Sequence, residues 1–226
     1  MFQNREDAGR QLANCLRGRD LRDPLVLAIP RGGAVVGAAL ARELDADLDI
    51  VFARKLRAPQ QPELALGAVS EGGEIYLNHF VSDVSGCDEE YLARERREQQ
   101  GELQRRAKLF RATLEPAPIT GRSVILTDDG MATGATMIAA LMVVKGHQPH
   151  ETIVAVPVAA PDRLPEVGRW CNDLVVLQTP QNFFAIGPFY DDFSQLTDDE
   201  VAVILRGFAS SHKSAKVAPP PLEKQC

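Results

Sequence analysis

The segment VILTDDGMATGAT, residues 124–136, decides how the rest of the chain is read. Val124-Ile125-Leu126 is an apolar run of buried-strand character, and it ends in two adjacent acids, Asp128 and Asp129. A turn of small residues, Gly130 to Thr136, follows and opens a helical pattern. Gly130, Ala132, Gly134 and Ala135 let backbone N–H groups approach a ligand closely. A helix starting near Gly134 turns its positive end the same way, and Thr133 and Thr136 add hydroxyl donors. Together these make a phosphate cradle, though not a Walker loop, because no Gly-Lys-Ser/Thr is present. Carboxylates repel phosphate, so the two acids must serve another part of the ligand. Vicinal hydroxyls, as of a ribose, or a divalent cation held directly or through water would suit them. A ribose bearing a 5′-phosphate satisfies both halves of the segment.

Further strands and helices alternate on either side of it. LVLAI (25–29) reads as a buried strand that stops at Pro30-Arg31-Gly32-Gly33, and AVVGAALAREL (34–44) continues as a helix. DIVFA (49–53) reads as a second strand and RKLRAPQQPE after it as a loop, while ALGAVS (65–70) and EIYLN (74–78) form a hairpin. TIVAVPV (152–158) and DLVVLQ (173–178) are two more buried strands, separated by a short Pro-started helix at 161–168. Thr197 to Glu200 is a capping box before the periodic VAVILRGF. Alternation of this kind implies right-handed crossovers and an α/β fold with a mainly parallel sheet flanked by helices. Ligands of such sheets bind beyond the carboxyl ends of the strands. The sequences PRGG, Arg54-Lys55 and 128–136 should therefore share one face.

Residues 1–210 are expected to form one domain, with an insertion at 56–115, a small hood at 179–195 and a disordered tail at 211–226. The insertion carries a long charged helix, 88–113, with a thin apolar seam of Leu92, Leu103 and Phe110. A lid, a dimer arm in a homodimer, or a solvated face are its alternatives. The composition, 45% hydrophobic and 25% charged in 226 residues, is that of a globular protein. No apolar run reaches membrane-span length and no signal peptide is visible, so no membrane partner and a cytoplasmic location are expected. Basic residues number 25 against 31 acidic, a net charge of −6, which speaks against a general nucleic-acid surface.

VILTDDGMATGAT resembles the phosphoribosyl-pyrophosphate motif of the type I phosphoribosyltransferases: apolar residues, two acids, two variable positions, then small-Thr-Gly-small-Thr. The likeness extends over roughly residues 5 to 208. It implies a cytoplasmic transferase of nucleotide metabolism that uses phosphoribosyl pyrophosphate and Mg²⁺. Phosphoribosyl would pass to a nitrogenous base or amine, releasing pyrophosphate. By the same likeness Arg31, Gly32 and Gly33 would bind the pyrophosphate and Lys55 would act with Arg31 in catalysis. Asp128 and Asp129 would hold the ribose and contribute to catalysis, and Gly130, Met131, Ala132, Thr133, Gly134, Ala135 and Thr136 would complete the ligand loop. Phe184 would stack on the base, and Asp191, with Asp128 and Asp129, would help hold the metal. Ala132 departs from the pattern, since purine-salvage members commonly carry an Asp there that assists proton transfer. The alternative is a regulatory protein that senses phosphoribosyl pyrophosphate without turnover and binds nucleic acid through the basic part of helix 88–113.

Overall fold

The computed structural model describes residues 1–78, 84, 86–112 and 115–217. Five segments pair in parallel: β1 (Leu25–Ala28), β2 (Asp47–Ile50), β6 (Ser123–Thr127), β7 (Glu151–Val158) and β8 (Asp173–Gln178), in the order β2-β1-β6-β7-β8. The near-continuous apolar sequences of the inner strands β1, β6 and β7 reflect burial on both faces, as helices cover a parallel sheet from either side, while the edge strand β8 is half-buried. The α/β class and mainly parallel sheet read from the sequence are the ones observed. Along the strand order, β1 is followed by β2 on one side and has β6 on the other. The order thus reverses between β1 and β6, and Ala28 lies opposite Thr127 at their carboxyl ends.

Helices α1 (Arg5–Leu16) and α2 (Gly32–Leu44) cover one face and α4 (Ala135–Gly146) the other. Small residues set how closely they sit. A Cβ on Gly9 would come within 2.5 Å of the Val36 carbonyl, and one on Gly37 within 2.8 Å of the Ala28 methyl. Helix α1 therefore crosses α2, and α2 lies on β1, at distances that side chains would forbid. Beyond the sheet edge, α5 (Leu164–Gly168) follows a single 3-10 turn at Pro161–Arg163, in the place the Pro-started helix was expected. Helix α6 (Asp198–Val217) begins at the anticipated capping box, where Thr197 and Glu200 exchange backbone-to-side-chain bonds of 2.7 and 3.2 Å. It continues through Val217, into the segment read as a tail, whose positions 218–226 lie outside the described residues.

The insertion differs most from its sequence reading. DIVFA is not one strand: β2 stops at Ile50, and β3 (Ala53–Ala58) starts a separate antiparallel sheet with β4 (Gln61–Ser70) and β5 (Ile75–Leu77). RKLRAPQQPE, read as a loop, forms most of β3 and the start of β4. Its basic residues stand between buried Ala53, Leu56 and Ala58, the pairing with β4 shifts register at Arg57, and the turn places Gln60 at φ +60°. Helix α3 (Glu89–Arg111) is correspondingly not a merely solvated face. Leu103, Ala107 and Phe110 enter the core, with Phe110 tilted against Phe52 at 5.6 Å. Its last residue, Arg111, reaches inward to Asp49 at 2.6 Å and Glu71 at 2.7 Å. Burial pushes the Asp49 carboxyl upward even against the neighbouring guanidinium.

Removing Arg111 would leave Asp49 buried without its cation. Arg111→Met should therefore destabilise the protein by roughly 3–5 kcal/mol at neutral pH. The loss should shrink in acid, where Asp49 takes up a proton. Urea unfolding at pH 7 and pH 4.5 would measure both.

Candidate active site

Strands β1 and β6 are hydrogen-bonded neighbours, so the loops leaving their carboxyl ends are held side by side. Each loop opens into a helix whose first residues are not capped by a side chain from the capping position. Arg31 precedes α2 and Gly134 precedes α4 without a side-chain cap bond. The leading N–H groups of α2 and α4, with their positive helix ends, are thereby directed to the same sheet edge. This is the topological switch point of the sheet, where α/β ligands bind.

Two adjoining clefts mark the place. One, of about 480 Å³, is lined by Pro30, Arg54, Lys55, Asp128, Ala135 and Thr136, with Arg57, Gln99 and Arg106 from the insertion. The other, of about 190 Å³, lies within the Gly130–Thr136 loop and is closed by Ile186. Asp128 and Thr136 line both. A larger cavity of about 870 Å³ behind α3 shares Val51 and Phe52 with the first cleft but contains none of the loop residues 128–136.

Several of the expected site residues line these clefts, and Arg31, Gly32, Gly33 and Asp129 line neither. Pro30, Arg54, Lys55 and Asp128 share a cleft, while Gly130, Met131, Ala132, Thr133, Gly134 and Thr136 share the adjoining one. Lys55 lies within β3 rather than on a loop beyond a strand. Gly134 has φ +72°, and a Cβ there would stand 3.0 Å from Val167. Gly32 and Gly33 serve the acids as much as any ligand. A Cβ on Gly32 would lie 1.8 Å from Asp129 Oδ2, and one on Gly33 2.9 Å from the Asp128 Cα. The bare backbone of the first loop is what permits two carboxylates to sit beside it.

The acids are not equivalent. Asp128 accepts a 2.8 Å bond from the Asp129 N–H, and the Gly33 amide also donates to it. Its carboxyl is pushed well above the ordinary aspartate range, first by burial and then by the charge of Asp129. Asp129 instead receives the Arg5 Nε at 2.7 Å, and its carbonyl accepts from the Tyr190 hydroxyl at 2.6 Å. The Tyr190 hydroxyl is itself pushed upward, by burial first and then by Asp129.

The hood is placed otherwise than its motif suggested. Phe184 stands 92% exposed, and Asp191 is exposed and lines neither cleft. Ile186 is the hood residue that lines the inner cleft. Sequence reasoning missed both Arg5 and Ile186. An arginine in the first turn of an amphipathic helix carries no distinguishing signal, and an isoleucine in an irregular segment carries none either.

Residues 2–194 match the family profile described as a phosphoribosyl transferase domain. Proteins of two Mycobacterium tuberculosis strains, each provisionally named a phosphoribosyl transferase, are 40% identical over 229 residues, covering 100% of this chain and 52% of those proteins. The chain thus spans about half the length of these curated relatives. The crystal structure of TT1426 from Thermus thermophilus is 43% identical, with a TM-score of 0.88 over 92% of this chain and 98% of that one. The chain belongs to the phosphoribosyl transferase domain family, and its fold is that of TT1426. Among the described residues, no helix is long and apolar enough to cross a membrane.

Asp128 holds a proton more tightly when folded than when unfolded. Its contribution is therefore fully present below about pH 4 and is lost as pH rises through the elevated folded value. Asp128→Asn should raise the unfolding midpoint of the ligand-free protein at pH 7 and flatten this acid-side dependence. Calorimetry between pH 4 and pH 8 would read it. Gly134→Val should abolish phosphate binding at the loop while leaving the far-ultraviolet circular dichroism unchanged, because the strain is confined to the turn.

Proposed function

We propose that this chain is a phosphoribosyltransferase that binds phosphoribosyl pyrophosphate and transfers its phosphoribosyl group to a nitrogenous acceptor, with release of pyrophosphate. The observation that carries this reading is the pair of helix starts at one switch point with carboxyls between them. Two anion cradles flanking hydroxyl acceptors match a ribose with phosphate at one end and pyrophosphate at the other. The loop of residues 130–136 takes the 5′-phosphate, with N–H groups from Gly134 onward and the Thr133 and Thr136 hydroxyls. Gly32, Gly33 and Arg31 take the pyrophosphate, and Asp128 receives ribose hydroxyls with Asp129 beside it.

The chemistry asked of the protein is positioning and charge stabilisation. The anomeric carbon gains positive charge as its bond to pyrophosphate lengthens, and negative charge grows on the departing oxygen. In this reading Arg31, Lys55 and the Gly32 amide at the start of α2 stabilise that departing charge, Lys55 from the cleft that Asp128 also lines. The nitrogen of the acceptor attacks from the opposite face, so the configuration inverts, and no covalent enzyme intermediate is required.

The donor set also bears on the Mg²⁺ expected with this ligand. Among the described residues there is no cluster of three potential metal-ligating His, Cys, Asp or Glu side chains, and Asp129 is already paired with Arg5. These residues fit a cation that would be held chiefly by ligand oxygens and water, with Asp128 the carboxyl that lines both clefts, and do not form a preformed metal cage. Bound in that way, Mg²⁺ would supply charge neutralisation on the pyrophosphate.

No acid stands at position 132, and Asp128 is the sole titratable residue lining the inner cleft among the described residues. An acceptor that attacks without a base supplied by this loop suits that lining. The basic face required by a nucleic-acid-binding sensor is also depleted: Arg111 turns inward to Asp49, and Arg106 faces Asp198 at 3.6 Å.

Titration with phosphoribosyl pyrophosphate and Mg²⁺, followed by a panel of bases and amines monitored for pyrophosphate release, tests the proposal. Lys55→Ala should lower turnover at least tenfold while changing ligand affinity less than threefold, because its charge acts as pyrophosphate departs. Ligand binding with no acceptor turned over would favour the sensor instead.

A further inference from the structure

Four segments that are far apart in the chain meet at one guanidinium. Arg5, in the first turn of α1, donates through Nε to Asp129 at 2.7 Å and through Nη1 to the Ser194 carbonyl at 2.9 Å. Its plane lies over the Phe193 ring, 3.9 Å from the centroid. A Cβ on Gly32 would sit 3.0 Å from its Nε, so the pyrophosphate loop packs directly on the ion pair. Both partners are largely withdrawn from water, with side-chain exposures of 11% for Arg5 and 13% for Asp129. The neighbouring contacts reinforce the junction. The Phe2 N–H donates to the Phe189 carbonyl at 2.9 Å, the Asp191 N–H donates to the Phe2 carbonyl at 2.9 Å, and Phe2 and Tyr190 rings meet at 5.3 Å. The N-terminal strap and the hood are thus one unit, and Arg5 fastens it to the second acid of the ligand loop.

Asp129 cannot serve the ligand and this junction equally. The Arg5 Nε occupies its Oδ2, and Gly32 covers the same oxygen. Asp128 lines both clefts, whereas Asp129 lines neither. We propose that Arg5 is a positioning residue: it holds Asp129 as a structural keystone turned from the ligand, leaves Asp128 as the acid that receives the ribose hydroxyls, and locks hood residues 186–194 over the loop. A bidentate-capable, planar, always-charged group suits this, since a carboxylate, a carbonyl and an aromatic face are engaged at once. The ligand side of this inference rests on the phosphoribosyl reading of the site; the hood side does not.

Two measurements on Arg5→Gln, Arg5→Lys, Asp129→Asn and the double variant Arg5→Gln/Asp129→Asn separate the possibilities. The first is amide hydrogen exchange. In Arg5→Gln, exchange across residues 186–194 should quicken at least tenfold while β6 and β7 stay protected, which also reports that the core remains folded. Unchanged protection of the hood would overturn the proposal, whatever the protein binds. The second is affinity for phosphoribosyl pyrophosphate with Mg²⁺, by calorimetry. Arg5→Gln and Asp129→Asn should each weaken binding by a similar factor of about ten, and the double variant should be no worse than either, because both break one junction. Arg5→Lys keeps the charge but not the reach to Ser194, so it should recover affinity more fully than hood protection. An Asp129→Asn loss exceeding that of Arg5→Gln by a further tenfold would mean that Asp129 touches the ligand, and the keystone assignment would fall. Absence of binding by the parent protein would refute the phosphoribosyl reading, leaving the exchange measurement to decide the role of Arg5.

Discussion

Adjacent parallel strands stand about 4.8 Å apart, and that spacing governs this site. Because β1 and β6 are neighbours in register, the helix starts that follow them open onto a common edge. Each start presents unsatisfied N–H groups and a fraction of positive charge. The same edge is where the strand order reverses, so no crossover helix runs across the gap. A ligand with anionic groups at two ends is what such an edge can hold. The glycines, the small residues and the acids all follow from packing two loops at that separation.

Putting carboxyls there costs stability, and the Asp128 environment shows where the cost falls. Burial and the neighbouring charge of Asp129 raise its proton affinity, so the ligand-free site is frustrated at neutral pH. The amides of Gly33 and Asp129 offset part of that penalty, and Arg5 offsets the second charge. Sites that bind strongly are commonly less stable than they would be without their polar groups. The absence of Cβ atoms at Gly32 and Gly33 makes the arrangement sterically possible at all.

The insertion joins this site to the rest of the molecule. Strand β3 carries Arg54 and Lys55 along the cleft, and α3 lies across β3 with Arg57 bonded to Glu95 at 2.8 Å. The far end of α3 is fixed by the buried Arg111–Asp49 pair and by Phe110 against Phe52. A helix anchored at that end is a wall of the site rather than an appendage. Two of its basic side chains are turned to acids outside the helix, Arg106 to Asp198 and Arg111 to Asp49 and Glu71, while its Glu95 and Glu98 face Arg57 of β3.

The sequence by itself determined the parallel sheet, its strands and the ligand loop, because buried strands and glycine-rich helix starts are local patterns written in neighbouring residues. VILTDDGMATGAT and PRGG are legible for that reason, as is the capping box at Thr197. Charge and an irregular register obscured β3, where Arg54, Lys55 and Arg57 stand between buried Ala53, Leu56 and Ala58 and the pairing shifts at Arg57. Only the tertiary structure made Asp128 and Asp129 unequal. Adjacent and identical in the sequence, they differ because Arg5, Gly32 and Tyr190 reach one of them from 124, 97 and 61 residues away. Pairings at such separations follow from which segments the core brings together, and no local pattern encodes them. The same holds for Ile186, which closes the inner cleft, and for Phe184, which the fold turns to the surface.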